Sequence, residues 1–537
     1  MIAFNSTKYP YHSKRNCVYA KNGMVATSQP LAAQAGLEIL KKGGNAIDAA
    51  IATAACLTVV EPTSNGIGSD AFALVWTKGK LHGLNASGFS PKSLTISGLK
   101  SKGYTEIPTF GMVPITVPGT PKGWASLSSK FGKLPLIDVL KPAIKYAREG
   151  FPVSPTTAHY WNLAHTRYKE VLKGEMFSSW FDTFTIDGKA PKVGEIWKSE
   201  GHARTLELIG TTNSDAFYSG ELANKITAYM RKFNGYIAKD DLYEYDVEYV
   251  EPINVNYKGY DVWEIPPNGQ GITALMALNI LKNDEFNSKE ETKTYHYQIE
   301  AMKLAFSDSL HYVTDPKNMR YKSTDLLDES YGKERRKLFT EEAGMPKPGT
   351  PPKGGTVYLA TADNEGNMVS YIQSNYMGFG SGIVIPNTGI AMQNRGHNFS
   401  FDESHDNHLA PRKKPYHTII PGFLTKDGEP IGPFGVMGGF MQPQGHLQVI
   451  MNTIDFNLNP QAALDAPRWQ WMNDRVVEVE PNVDSTIVEA LKKRGHNVVI
   501  QPNLGSFGRG QIIWRNPVTK VLVGGTEFRT DGEVASW

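Results

Sequence analysis

The hydrophobic positions in the first third of the chain follow helical spacing. Residues 29–56 are rich in Ala, Leu and Ile, and the pair Gly43-Gly44 interrupts them, so the pattern predicts two helices. Asn45 stands where the second helix needs its N-cap. Apolar residues occupy nearly all sides of that second helix, which predicts that it is fully buried. Similar spacing predicts helical segments within residues 119–150 and an amphipathic helix over residues 288–314.

The pattern changes at residues 344–355, GMPKPGTPPKGG, where hydrophobic side chains almost disappear. Such Pro/Gly composition predicts a flexible surface connection. Directly after it, residues 356–375 predict a strand, a turn at 364–367 and a second strand. Further on, two more strands are predicted at 475–481 and 497–502, with a helix between them. The notable feature is a strand that begins at the end of a flexible linker.

Composition and charge narrow the class of protein. The chain has 537 residues, 40% of them hydrophobic and 20% charged, as in ordinary globular proteins with a core. Its 56 basic and 54 acidic side chains leave a net charge of +2, which favours neither nucleic acid nor an anionic membrane as a partner. Two cysteines, Cys17 and Cys56, exclude a disulfide scaffold but allow one bridge. Without a secretory signal or a long apolar run, the sequence predicts a soluble, cytoplasmic protein.

The junction between the linker and the strand suggests nucleophilic chemistry. A threonine hydroxyl is a poor nucleophile unless a base accepts its proton, and a free α-amino group of the same residue can be that base. Cleavage between Gly355 and Thr356 would create such a terminus, and glycine tolerates the backbone geometry that the cleavage requires. Gly438 and Gly439 precede a predicted helix, where backbone N–H groups suit an oxyanion. Taken singly, the first feature also fits an ordinary strand start and the second an ordinary turn into a helix.

Several motifs, taken together and in order, resemble the γ-glutamyltranspeptidase family. The resemblance extends from about residue 22 to the end of the chain and includes GGNAIDAAIA (43–52), VEPTSNGIG (60–68), VPGTPKGW (117–124), PPNGQGI (266–272), EAMKLAFSD (300–308), VMGGF (436–440) and GGTEFRTDG (524–532). Thr356 falls where the family has its nucleophile, and Gly438-Gly439 fall at its oxyanion-hole glycines. The resemblance therefore implies acyl transfer from a γ-glutamyl amide such as glutathione to water or to an amino acid.

The same resemblance implies an α+β fold, the four-layer αββα sandwich of N-terminal-nucleophile hydrolases. It implies self-cleavage into a large subunit, residues 1–355, and a small subunit, residues 356–537, which together form one domain. It also implies that no metal or organic cofactor is needed, because the terminal amine is the base. We further expect that processed units can pair as a homodimer.

The sequence departs from the family pattern at the positions that bind the glutamyl group. Ser87 aligns with the arginine that holds the substrate α-carboxylate, and Asn398 aligns with the acidic residue that holds the α-amino group. His417 and Thr418 replace a Ser-Ser pair that helps hold the carboxylate. Loss of both charges suggests an acyl group other than γ-glutamyl, as in the divergent branch that includes cephalosporin acylases.

Two further points remain open at this level. Ser374 aligns with a family threonine near the nucleophile, while Asn375 lies one place before the position of the family asparagine. Arg395 or His397 could compensate for one lost charge. His397, with two other histidines of the same loop at 405 and 408, lacks regular metal-ligand spacing and is interpreted as a loop residue.

Three hypotheses follow from the sequence. The main one is a self-processing hydrolase or acyltransferase of γ-glutamyl amides that acts through a Thr356 acyl-enzyme. The alternative is an acylase of the same mechanism with a cephalosporin-type or glutaryl-type acyl group. The third is an uncleaved, inactive binding homologue, against which the Gly355-Thr356 and Gly438-Gly439 pairs argue.

Overall fold

The computed structural model of the protein describes residues 14–345 and 355–537. Most of the predicted linker therefore lies outside the described residues. The strands are β1 (Val18–Ala20), β2 (Gly23–Thr27), β3 (Asp70–Thr77), β4 (Lys80–Ala86), β5 (Phe151–Pro152), β6 (Ile196–Trp197), β7 (Glu248–Val250), β8 (Ile253–Tyr257), β9 (Tyr260–Glu264), β10 (Gly355–Asp363), β11 (Met368–Tyr376), β12 (Val384–Ile385), β13 (Ile390–Ala391), β14 (Gly422–Lys426), β15 (Glu429–Met437), β16 (Trp469–Asn473), β17 (Val476–Val479), β18 (Asn497–Ile500), β19 (Arg509–Arg515), β20 (Leu522–Thr526) and β21 (Glu533–Ser536).

Helices account for much of the remaining chain. They are α1 (Pro30–Lys41), α2 (Ala46–Val60), α3 (Ile96–Ser101), α4 (Thr120–Phe131), α5 (Leu136–Glu149), α6 (Pro155–Val171), α7 (Ser178–Phe184), α8 (Glu200–Thr211), α9 (Asp215–Tyr218), α10 (Glu221–Lys232), α11 (Lys239–Tyr243), α12 (Gly271–Leu281), α13 (Thr292–Tyr312), α14 (Ser323–Leu326), α15 (Glu329–Arg336), α16 (Met441–Ile454), α17 (Pro460–Asp465) and α18 (Ser485–Lys493).

Two seven-stranded sheets dominate the fold. The first has the order β21-β2-β10-β11-β3-β4-β7, and the second has the order β1-β20-β19-β15-β14-β9-β8. Every neighbouring pair in both sheets is antiparallel. The strand that begins with the Gly355-Thr356 pair is the third of the first sheet, so it has a hydrogen-bonded neighbour on each side.

Three large apolar clusters show how the sheets and helices pack. One combines residues of both sheets, such as Tyr358 and Ile513. A second combines the first sheet with α2, α4 and α5, and a third combines the second sheet with α12, α13 and α16. Alternate residues of β10 contribute to different clusters, because successive side chains of a strand point to opposite faces. Val357 and Leu359 belong to the helical side, whereas Tyr358 and Ala360 belong to the cluster between the sheets.

The predicted helices near the N-terminus are confirmed. Asn45 caps α2: its side chain accepts hydrogen bonds from the amides of Ile47 and Asp48, while Asp48 accepts one from the Asn45 amide. Every residue of α2 is buried, as its uniform apolar pattern predicts. The amphipathic helix predicted at 288–314 is α13, and α4 and α5 lie within the segment 119–150.

The predicted strands are confirmed as well. The 356–375 segment forms the hairpin of β10 and β11, and the region near the C-terminus forms β17, α18 and β18, with the two strands parallel. Cys17 and Cys56 are both free, so the bridge that the sequence allowed is not formed. Among the described helices, none combines the length and apolar character needed to cross a membrane.

Candidate active site

Thr356 lies at the second position of β10, with only 1% of its surface exposed. The pairing of β10 with β11 shifts register at this point: Gly355 lies opposite Tyr376, but Val357 lies opposite Gln373. Two residues of β11, Ser374 and Asn375, therefore oppose Thr356 alone. Such a bulge turns side chains away from the regular sheet pattern. The structure thus brings both predicted β11 residues to the predicted nucleophile.

Two side chains contact the Thr356 hydroxyl directly. It donates a hydrogen bond to the Ser374 hydroxyl at 3.2 Å, and Gln442 Nε2 donates to it at 3.4 Å. Ser374 Oγ also accepts from the Tyr376 amide at 2.8 Å, which holds the serine in place. Gln442 is held in turn by the Ile420 amide, which donates to its Oε1 at 2.9 Å. The hydroxyl is therefore oriented by one acceptor and one donor.

Gln442 was not predicted from the sequence. It is fully buried and lies in the first turn of α16, three residues after Gly439. The sequence offered one signal for it, a polar residue that follows the glycine pair near the start of a predicted helix. That signal does not distinguish a contact with the nucleophile from a bond to a nearby loop.

Gly438 and Gly439 form the turn between β15 and α16. Their φ angles are +137° and +62°, a region that favours glycine. A Cβ on Gly438 would lie 3.1 Å from the Cα of Gly508 and 3.4 Å from the Cβ of Met441. Because Gln442 reaches Thr356 from the same turn, the glycine amides lie at the helix N-terminus that faces the nucleophile. Their role as oxyanion donors stays a prediction.

A cluster of buried polar residues, centred on Asp70 and His417, lies beside Thr356 and Ser374. His417 Nε2 lies 3.0 Å from Asp70 Oδ2, and Asp70 is the residue paired with Ser374 across β3 and β11. The other Asp70 oxygen accepts from the Gly88 amide at 3.0 Å and from Gln393 Nε2 at 2.8 Å.

Burial shifts the pKa values of both Asp70 and His417 in this cluster. Desolvation raises the pKa of Asp70 to about 7, against the opposing effect of the Arg395 charge. Desolvation also lowers the pKa of His417 well below its usual range, and the charge of Arg395 lowers it further. His417 is therefore neutral near pH 7 and is held by Asp70.

Arg395 lies in the same group and is completely buried. Its Nη1 donates to Thr418 Oγ1 at 2.6 Å, and its guanidinium lies 4.5 Å from the centre of the Tyr376 ring. Within residues 14–345 and 355–537, its Nε and Nη2 have no hydrogen-bond partner. Burial lowers the pKa of Arg395 to about 10, which still leaves it protonated at neutral pH.

Two predicted binding residues stabilise loops in this structure. The Ser87 hydroxyl donates to Asn85 Oδ1 at 2.6 Å and lies 3.3 Å from the side chain of Asn268. Asn398 Nδ2 donates to the Tyr416 carbonyl at 3.1 Å. Each has its hydrogen bonds within the protein, and neither brings a charge to the site.

Asn375 and Thr418 lie closer to the centre. Asn375 Oδ1 accepts from the Ser69 hydroxyl at 2.9 Å, and its Nδ2 has no partner among the described residues. The Thr418 carbonyl accepts from Gln270 Nε2 at 2.6 Å, and the same nitrogen donates to the Gly439 carbonyl at 2.8 Å. Gln270 therefore connects the Arg395 side of the site to the glycine turn.

A histidine cluster lies elsewhere in the fold. His296, Glu300 and His496 place their ligand atoms within 4.8 Å of one another, but Lys303 donates to Glu300 at 2.7 Å, so a protein cation is already bound there. His397, which was interpreted as a loop residue, has its Nδ1 2.7 Å from the Ile107 carbonyl.

Comparison with known proteins identifies the family of the chain. A family model described as γ-glutamyltranspeptidase matches residues 32–537. The chain belongs to the γ-glutamyltranspeptidase family. Its members among the relatives found are enzymes, and several are named as proenzymes.

Three similar proteins of this family carry different enzyme names. A crystal structure of a cephalosporin acylase from Bacillus halodurans is 63% identical, with a TM-score of 0.98, and the match covers 100% of this chain and 99% of that one. A glutathione hydrolase-like YwrD proenzyme of Bacillus subtilis is 39% identical over 95% of this chain and 97% of the relative. An oxamate amidohydrolase proenzyme of Klebsiella pneumoniae is 30% identical over 96% of this chain and 98% of the relative.

Proposed function

We propose that this protein is a self-processing amide hydrolase of the acylase type, with Thr356 as its nucleophile. The observation that carries the proposal is the buried Thr356 hydroxyl, oriented by Ser374 and Gln442 beside the glycine turn. The arrangement of two packed sheets, each with helices on its other face, supports the four-layer sandwich of N-terminal-nucleophile hydrolases. Processing would yield subunits 1–355 and 356–537.

Self-cleavage would proceed within β10. Thr356 Oγ attacks the carbonyl carbon of Gly355, the C–N bond between the two residues breaks, and the nitrogen takes the hydroxyl proton. The acyl group is then an ester on Thr356, which water hydrolyses to a Gly355 carboxylate and a free Thr356 α-amine. Amides of Gly438 or Gly439 would stabilise the oxyanion of each tetrahedral intermediate.

Turnover would use the terminus that cleavage creates. The α-amine of Thr356 accepts the hydroxyl proton as Oγ attacks the substrate amide, and the departing amine takes that proton. Water then attacks the acyl ester and releases the carboxylic acid, or an amino acid attacks and takes the acyl group. No step needs a group from outside the protein and its substrates.

Two observations favour an acylase over a glutathione hydrolase. Ser87 and Asn398, at the positions of the family's charged glutamyl contacts, are neutral and bonded within the protein. The 63% identical neighbour is named a cephalosporin acylase, and a 30% relative is named an oxamate amidohydrolase. Glutathione hydrolysis remains the second candidate, because the 39% identical relative is named glutathione hydrolase-like.

Processing can be tested on a denaturing gel. We expect wild-type protein to resolve into fragments that correspond to 1–355 and 356–537, whereas Thr356→Ala stays full length. N-terminal sequencing of the smaller fragment should begin at Thr356. A single full-length band from catalytically active wild-type protein would refute the mechanism.

The acyl preference can be tested with paired chromogenic amides. Glutaryl-p-nitroanilide and γ-glutamyl-p-nitroanilide share chain length and leaving group but differ by the α-amino group. We expect a higher kcat/KM for the glutaryl compound. A clear preference for the γ-glutamyl compound would favour glutathione hydrolysis instead.

A further inference from the structure

Arg395 is a buried cation without an anionic partner. Of its three guanidinium nitrogens, only Nη1 has a hydrogen bond, to the neutral Thr418 hydroxyl. Nε and Nη2 lie on the same edge of the guanidinium, and this edge is the one that forms paired bonds with a carboxylate. Burying a charge without a partner is costly, so an unpaired buried edge points to an anion that binds there.

The protein itself does not supply that anion among the described residues. The charge of the Asp70 carboxyl acts on Arg395, but the two form no ion pair within 4 Å, and the ion-pair partner of Asp70 is His417. Both Asp70 oxygens already accept hydrogen bonds, one from His417 and the other from Gly88 and Gln393. Tyr376 contributes only the face of its ring.

The free edge belongs to the same site as the nucleophile. Tyr376, whose ring lies against Arg395, donates its amide to Ser374, and Ser374 accepts the hydrogen bond of Thr356. On the other side, Thr418 and Gly439 share the donor of Gln270. Arg395 is thus reached from Thr356 through two independent sets of contacts, one along β11 and one through the glycine turn.

We propose that Arg395, held by Thr418 and Tyr376, binds a carboxylate at the far end of the acyl group. The inference rests on the proposed function and adds the residue that would read the terminal carboxylate of a dicarboxylic monoamide. No carboxylate among the described residues of this group is free to hold an ammonium. The other unpaired atoms beside it include a donor, Asn375 Nδ2, and a neutral acceptor, Gln393 Oε1. The site therefore favours an acyl chain that carries an anion, and it leaves no carboxylate to pair with an α-ammonium group.

The test compares charged and uncharged acyl chains on the processed enzyme. Glutaryl-p-nitroanilide carries the terminal carboxylate, and pentanoyl-p-nitroanilide is its uncharged counterpart of the same length. A buried charge-assisted pair corresponds to roughly 10²-fold in affinity. We expect wild type to prefer the glutaryl amide by about that factor, and Arg395→Gln to bring the ratio of kcat/KM for the two amides close to one.

Two controls separate recognition from folding. Arg395→Lys keeps the charge but loses the paired geometry, so we expect a partial loss, mostly in KM. Arg412→Gln removes another guanidinium that packs on an aromatic ring, at Phe89, but one that is bonded to Glu244 near the surface. It should leave the glutaryl preference unchanged. If Arg395→Gln does not fold, competitive inhibition by free glutarate in wild type and in Arg395→Lys decides the matter, with weaker inhibition expected in the variant.

The outcomes distinguish the two proposals. Self-cleavage involves no acyl carboxylate, so processing of the wild type tests the proposed function independently of Arg395. If wild type fails to process, the proposed function fails. If wild type processes and hydrolyses amides without preferring the carboxylate, or if folded Arg395→Gln or Arg395→Lys keeps the full wild-type preference, only the assignment of Arg395 is overturned.

Discussion

Replacement of Gly438 by alanine tests whether the glycine turn stabilises the oxyanion. Gly438 has φ = +137°, which L-amino acids rarely adopt, and its added Cβ would lie 3.1 Å from the Cα of Gly508. Backbone conformations of this kind cost about 1–3 kcal/mol for a residue with a side chain. The turn must therefore shift, and we expect its amides to lose the orientation that an oxyanion formed at Thr356 would need.

The expected effect on chemistry is larger than the effect on stability. Loss of one oxyanion donor typically lowers the rate by about 10²–10³-fold. We expect Gly438→Ala to unfold at a lower denaturant concentration by an amount that corresponds to about 1–3 kcal/mol, and to convert precursor at least about 10²-fold more slowly. The conversion rate is measured on a denaturing gel, well below the unfolding midpoint.

A matched control separates backbone strain from chemistry. Gly428 also has a positive φ, +78°, but it lies in the turn between β14 and β15, and a Cβ there meets nothing within 4 Å. Gly428→Ala should lose about 1–2 kcal/mol of stability and process at the wild-type rate. A folded Gly438→Ala protein that processes as fast as Gly428→Ala would refute the role of the turn in oxyanion stabilisation.

Two other predictions concern Gln442 and Glu61. Gln442→Ala removes the donor to Thr356 and the acceptor of the Ile420 amide, so we expect processing to slow by about tenfold and the free energy of unfolding to fall by about 1–3 kcal/mol. Unchanged processing on the gel would show that the contact is not needed. Burial raises the pKa of Glu61 to about 7, so the folded state keeps a proton that the unfolded state releases near pH 4.5. Stability from this group is present below about pH 4.5 and is lost as pH rises through 7, so Glu61→Gln should remove about 3 kcal/mol of that decline in denaturant titrations. If the free energy of unfolding falls with pH by the same amount in wild type and in Glu61→Gln, then Glu61 is not the cause of the decline.

The local features of the fold could be predicted because their causes are local. The Asn45 cap, the buried helix α2 and the hairpin of β10 and β11 depend on side chains within a few residues of one another. The positive φ of Gly438 is also local, since it belongs to a tight turn into a helix, whereas its close approach to Gly508 is a contact between distant parts of the chain. The family resemblance predicts Thr356 as the nucleophile, and the structure shows its buried hydroxyl in contact with Ser374 and Gln442.

The contacts between distant parts of the chain required the tertiary structure. Asp70 and His417 lie 347 positions apart, and Gln442 reaches Thr356 across 86 positions. Arg395 was one of two possible compensating side chains in the sequence, but only its burial and its two unpaired nitrogens single it out.

The amino-acid sequence by itself therefore determined the elements and the glycine turn, because propensities, caps and turns act between neighbours. Through the family resemblance it also predicted Thr356 as the nucleophile. The tertiary structure decided which side chains contact the Thr356 hydroxyl and that two nitrogens of the buried Arg395 are left without a partner among the described residues. The physical reason is that burial, and with it the cost of an unpaired charge, is a property of packing between strands and loops far apart in the chain.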